Sequence, residues 1–174
     1  MAEPERHRFP PRNGIPNSAL PLLLWKGRLP EDTREGRAVC ALYESNSWGG
    51  TWVYTVYPFW HFHTQGHEVL SCVSGTATIG FGGDGGISVG VQKGDVCVIP
   101  AGVGHRRFAA SDDFLMAGGY PPGQRGDIVR PGGIEPAEAA RLISSLPLPA
   151  TDPISGLADG VVSIWNEARA ESRA

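Results

Sequence analysis

From Trp48 to Tyr120 the chain repeats one device: a short run rich in β-branched and aromatic residues, closed by glycine or proline. The runs read "TWVYTVYPFWHFH", "EVLSCVSG", "TATIGF", "ISVGVQ", "DVCVIP", "HRRFAA" and "DFLMAGGY". Residues of this kind suit a pleated, half-buried surface, and each run is short enough to be one strand or two. Between "TATIGF" and "ISVGVQ" lies "GGDGG", whose glycines can take the positive φ that a hairpin turn requires. Roughly eight strands in about seventy residues predict an all-β fold, closed as a barrel or packed as two antiparallel sheets. The chain holds 24 Gly and 15 Pro in 174 residues without a fixed period, which opposes a helical bundle.

The flanks differ from this centre. Residues 1–35 are rich in proline and charge, with apolar anchors at Leu20, Leu22, Leu24 and Trp25. They are expected to form an arm across the main body that can add an edge strand, with the first ten or so residues disordered. Residues 36–125 form the barrel. After "YPPGQRGD", residues 126–174 supply a helix and a tail that pack back on it. In "EPAEAARLISSL", Ala139, Leu142, Ile143 and Leu146 share one helical face, and Pro136 suits a first-turn position. Farther on, Val161, Val162, Ile164 and Trp165 make a terminal apolar cluster in a turn-rich tail.

Composition limits the function. A net charge of −3 leaves no basic footprint for nucleic acid or an anionic membrane. The first residues, "MAEPERHRFPPRNG", lack the apolar core of a signal peptide, and "LPLLLW" is too short to span a bilayer. A cytoplasmic location is expected, with Cys40, Cys72 and Cys97 as reduced thiols, since they are odd in number and have no metal-ligand spacing.

Three of the five histidines fall within "HFHTQGHE", residues 61–68. On a strand His61 and His63 leave the same face; Glu68 opens the next run, and His105 follows the turn "PAGVG". The alternative is a set of unrelated polar residues at a barrel mouth. Ligands from adjoining strands can instead converge on one divalent transition ion. Three neutral nitrogens and a carboxylate suit Fe, Mn, Ni, Co or Zn and leave coordination positions open.

These residues also carry a family resemblance. "HFHTQGHEVLSCVSG" resembles the first cupin motif through His61, His63, Glu68 and Gly75, and "GDVCVIPAGVGH" resembles the second through Gly94, Pro100, Gly102 and His105. Eighteen residues separate Gly75 from Gly94. Two positions depart from the pattern, Thr55 for a glycine and Ala109 for an asparagine, and neither is a ligand. The wider chain, through "GGYPPGQ" and "LPATDP", is similar to the YjlB-like single-domain cupins. The resemblance implies a double-stranded β-helix, the cupin jelly-roll barrel, with His61, His63, Glu68 and His105 on one metal inside it.

Other residues bear on chemistry. Tyr57 and Phe59 are in phase with the two histidines and are expected to line the cavity. Arg107 shares the phase of His105; it either pairs with a carboxylate on a small-molecule substrate, or sits at the rim or beside Asp112 or Asp113. Tyr120, at a strand end, is either core with a satisfied hydroxyl or a substrate contact. His67 should point away from the ligands, unless a bend brings it in as a base. Cys72 reads as a small buried thiol. Three classes of function follow: a metal-dependent dioxygenase on a small oxygen-rich or carboxylate substrate, which is favoured; an isomerase, lyase or decarboxylase using His67 or Tyr57; and a non-catalytic small-molecule binder. The apolar phase Trp52, Tyr54, Val56 and Trp60 predicts a homodimer.

Overall fold

The computed structural model describes residues 3–173. Its strands are β1 (Glu5–Phe9), β2 (Ser18–Trp25), β3 (Gly49–Tyr54), β4 (Glu68–Ser74), β5 (Thr76–Phe81), β6 (Ile87–Gln92), β7 (Val96–Ile99), β8 (His105–Ala110) and β9 (Leu115–Tyr120). The α-helices are α1 (Gly36–Ser45), α2 (Pro136–Ser145) and α3 (Val161–Glu171). A six-stranded sheet in the order β1-β2-β7-β4-β9-β3 faces a three-stranded sheet in the order β6-β5-β8, with every pairing antiparallel. This is the expected all-β jelly-roll barrel.

The large sheet is covered on both faces, and its sequence says why its strands are so apolar. Side chains alternate along a strand. Leu22 and Leu24, Leu70 and Cys72, and Cys97 and Ile99 point inward to meet Ile79, Phe81 and Val91 of the small sheet. Their neighbours Leu23, Trp25, Val69, Val73, Val96 and Val98 point outward into a second core with Val39, Tyr43, Trp48 and Trp165. Helices α1 and α3 roof that second core. Burying each such large side chain contributes about 1.5–3 kcal/mol, so the roof stabilises as well as covers. Tyr43 is anchored there by a hydrogen bond between its hydroxyl and Ser71 Oγ.

Several expectations need correction. The first ten residues are not disordered where described: β1 lies at the sheet edge with Glu5 opposite Leu24, and β2 is internal, hydrogen-bonded to β7; Met1 and Ala2 lie outside the described residues. Helix α1 was not anticipated, because Glu35 offers no side-chain cap and Gly36 opens the helix. The cluster Val161–Trp165 is the start of α3 rather than a turn-rich tail. The run "TWVYTVYPFWHFH" stops being a strand at Tyr54, ahead of Pro58, so its aromatic phase is not one face. Val56 is buried, Trp52 packs on the inner core, and Trp60 donates to Asp84 Oδ1 at 2.9 Å. Helix α2 begins at Pro136 and buries Ala139, as its periodicity predicts. The three cysteines are free, and burial pushes the Cys72 and Cys97 thiols up to about 11 and about 12. No helix among the described residues is long and apolar enough to cross a membrane.

Candidate metal centre

His61 and His63 lie on the extended stretch after Pro58, while Glu68 opens β4 and His105 opens β8. Backbone pairing brings the two motifs together. His61 and His105 exchange both hydrogen bonds, at 3.2 and 2.9 Å, and the Gly102 N–H donates to the His63 carbonyl at 2.8 Å. Gly102 can turn there because its φ is +92°, and a Cβ would stand 2.4 Å from the Asn17 carbonyl oxygen. The three imidazoles are buried, with one nitrogen of each within 4.8 Å of the others. Glu68 Oε2 lies 3.0 Å from His63 Nε2 and 3.4 Å from His105 Nε2.

Each ring is oriented by the backbone. His61 Nδ1 faces the Phe59 carbonyl and His105 Nδ1 the Val103 carbonyl, both at 3.0 Å; His63 Nδ1 faces the Asp127 carbonyl. A carbonyl oxygen only accepts, so each Nδ1 carries the hydrogen and each Nε2 is left to present its lone pair. Imidazole lone pairs opposite a carboxylate repel it unless a cation stands between, either a proton or a metal ion. Burial, reinforced by His105, pushes His61 down to about 3, so it is neutral and able to ligate. For His63 burial pulls downward, but the Glu68 carboxylate outweighs it and the net shift is upward. Burial likewise raises Glu68, yet His63 and His105 win and hold it well below the usual carboxylate range. The donor set fits one divalent transition ion.

Two supporting groups complete the floor. The Asp127 carboxylate accepts from the Thr64 and Gln65 N–H groups at 2.8 and 2.9 Å and from the Thr64 hydroxyl at 2.6 Å, fixing the loop between His63 and Glu68. Asp127 was missed because its partners are more than sixty residues away in sequence, and "GQRGD" reads as a turn. Tyr120 donates its hydroxyl to Glu68 Oε1 at 3.1 Å and accepts from Trp52 Nε1 at 3.0 Å. Burial and the Glu68 charge raise its pKa, so it stays a donor. Trp52 reaches this place because position 118 is glycine; a Cβ there would lie 2.2 Å from the indole.

A cavity of about 280 Å³ opens from His61, His63, Glu68 and His105 to the surface. Tyr57 and Tyr120 line it with Trp52, Tyr54, Thr55 and Ile128. Phe59 is not on the wall: it stacks on Tyr57 at 5.1 Å and lies beneath the Arg130 guanidinium at 3.5 Å. Arg107 does not line the cavity either. It is opposite Ile79, and its Nη1 donates to Thr55 Oγ1 at 3.1 Å rather than meeting Asp112 or Asp113. His67 stays on the other face of the sheet, as strand alternation dictates, with its ring 4.8 Å from that of Trp165. No bend brings it in as a base.

No family model matches the chain. It overlaps in part with two solved structures, an acireductone dioxygenase from Bacillus anthracis with cadmium ion in its active centre and a DUF861 family protein from Thermotoga maritima. The first is 16% identical with a TM-score of 0.42, over 62% of this chain and 82% of that one. The second is 18% identical with a TM-score of 0.34, over 46% and 88%. The protein YjlB of Bacillus subtilis (strain 168) is 37% identical over 164 residues, spanning 94% of this chain and 97% of its own. With this identity along nearly the whole length of both chains, the chain belongs to the family of YjlB.

Proposed function

We propose that the chain is a mononuclear metal-dependent enzyme of the dioxygenase type, with one Fe, Mn, Ni, Co or Zn ion held by His61, His63, Glu68 and His105. The observation that carries this reading is the common orientation: three buried imidazoles have Nδ1 on backbone carbonyls and so turn Nε2 away from them, two of these within 3.4 Å of the Glu68 carboxylate. A bound ion would supply Lewis acidity at the cavity floor, and Fe, Mn, Ni or Co, unlike Zn, would add electron transfer. The chain's own residues do the rest. Tyr120 ties up Glu68 Oε1, leaving Oε2 toward the histidines. Trp52, Val56 and Leu70 keep the space beside them apolar and limit water.

The isomerase, lyase or decarboxylase reading needs a mobile base beside the substrate. With His67 under Trp165 and the Tyr120 hydroxyl committed to Glu68, Tyr57 is left as the candidate, which favours the first reading. Elemental analysis of purified protein, followed by oxygen-uptake assays with small phenols and carboxylates, tests it. A single transition ion per chain and ligand-dependent uptake are expected. Metal-free protein that cannot be loaded would remove the reading.

A further inference from the structure

The walls of the cavity restrict what can enter more sharply than its floor does. No Lys or Arg among the described residues lines it. Two arginines that stand two positions from the lining residues His105 and Ile128 are already engaged: Arg107 on the Thr55 hydroxyl, and Arg130 over the Phe59 ring. A free carboxylate carried into this space would lose water and find, besides the metal, only the Tyr54 and Tyr57 hydroxyls as donors, which is unfavourable. A polyol fares little better. The Tyr120 hydroxyl already donates to Glu68 and accepts from Trp52, and Thr55 Oγ1 already accepts from Arg107. With the Tyr54 and Tyr57 hydroxyls as the two uncommitted side-chain hydroxyls among the lining residues, most of a sugar's hydroxyls would be left without a mate.

What the cavity does offer is apolar surface, and it is placed asymmetrically. Trp52, Val56 and Leu70 form the inner wall. Tyr54, Tyr57 and Ile128 stand at the mouth with 59%, 38% and 46% of their surface exposed. Exposed large apolar residues gathered round one opening mark a surface that a ligand covers. The volume of about 280 Å³ is nearly twice that of a cavity known to take benzene, enough for one ring with a substituent.

We infer that the ligand of this site is a compact, flat, largely apolar molecule with its oxygen donors at one end, of the phenol or catechol kind, and not a polycarboxylate or a sugar. The inference rests on the metal reading above for the oxygen end and on the walls alone for the apolar body. The donors meet the ion at the floor. The ring lies between the Trp52 wall and the aromatic mouth, with the Tyr54 and Tyr57 hydroxyls as the polar groups available to a substituent.

The test compares two chelating probes, 4-methylcatechol and malonate, by calorimetry on Co(II)-loaded protein with metal content measured on each sample. Methylcatechol should bind at least about ten-fold tighter than malonate. In the Tyr54→Ser/Ile128→Ser double variant, methylcatechol should lose most of that advantage while malonate binding and cobalt content hold. Equal or tighter malonate binding, or a double variant that weakens both probes alike, would overturn the inference. A protein that takes up no cobalt would count against the metal reading instead. The apolar body is then tested on metal-free protein with p-cresol by saturation-transfer NMR, where transfer abolished by the double variant is expected and no transfer to p-cresol in the wild type would overturn it.

Discussion

His63 and His67 are both buried histidines, five and one positions before Glu68, yet they do opposite things. His63 lies inside the barrel, where its Nδ1 meets the Asp127 carbonyl and its Nε2 faces Glu68 Oε2 at 3.0 Å. His67 lies under α3, where its Nδ1 accepts the Ala101 N–H at 3.0 Å. Its neutral ring therefore carries the hydrogen on Nε2, which is buried and finds no hydrogen-bond partner among the described residues. One imidazole joins the candidate metal cluster, and the other is a strut joining the start of β4 to the turn that leads to His105. The difference comes from which backbone group meets Nδ1, a donor or an acceptor. Residue type and burial are the same for both.

The widest separation between the two should appear in metal content. His63→Ala removes a nitrogen donor, and stoichiometric metal should fall by more than about a hundred-fold in affinity while the far-UV signature of the sheets persists. His67→Gln keeps an oxygen that can accept the Ala101 N–H, so metal content should stay as in the wild type. Atomic absorption on both variants decides. Full occupancy in His63→Ala, or loss in His67→Gln, would abolish the contrast.

Acid stability sharpens it differently, because here the two regions act in the same direction. Burial pushes His67 down to about 3, helped by the Arg169 charge, and His61 is likewise at about 3. The unfolded chain binds these protons near pH 6.5 and the folded chain does not, so metal-free protein loses stability as pH falls from 6.5 toward 3. Each group should cost about 2 kcal/mol between pH 7 and 5. His63, shifted upward, works in the opposite sense, losing its contribution as pH rises through its folded value. In urea titrations of metal-free protein, His67→Gln should flatten the acid limb by its own share. Metal should flatten it further by competing with protons at His61. An unchanged acid limb in the His67→Gln variant would show that its ring protonates without unfolding.

How much of this was legible follows from where each signal sits. The clustering of His61, His63, Glu68 and His105 was readable because the spacing within each of the two motifs is local and strand alternation assigns the faces. Both β4 and β7 alternate between two cores, and the outward phase already placed His67 away from Glu68. Helix α3 had a signal that was underused: Val161, Val162, Ile164, Trp165 and Ala168 recur at helical spacing. Its start was obscured because the cap is remote. Asp152 Oδ2, nine residues upstream, accepts the Val161 N–H at 3.0 Å. In α1, Val39 and Tyr43 are one turn apart and both buried, but no capping residue announces the helix. Arg107 was misplaced for a related reason. Alternation gave its face, and only the fold reveals that Thr55 takes its guanidinium before the cavity can.

The smallest expected effect tests whether the metal side depends on its supporting contacts as the His67 side does. Tyr120→Phe removes the hydrogen bond to Glu68 Oε1 and leaves the Trp52 N–H without its acceptor. The ring volume is kept, so the core should not collapse. In metal-loaded protein the freed Oε1 would no longer be held away from the histidines, which would change how Glu68 meets the ion without removing a ligand. Metal affinity should weaken by about ten-fold, the lower end for loss of an outer contact. The visible spectrum of Co(II)-loaded protein should shift toward a higher coordination number, and stoichiometry should hold. Trp52→Phe removes only the donor to that hydroxyl, so Tyr120 can still bond Glu68 and the affinity change should be smaller. An effect in Trp52→Phe as large as in Tyr120→Phe would mean that packing against Gly118, rather than the hydrogen bond on Oε1, orients the carboxylate.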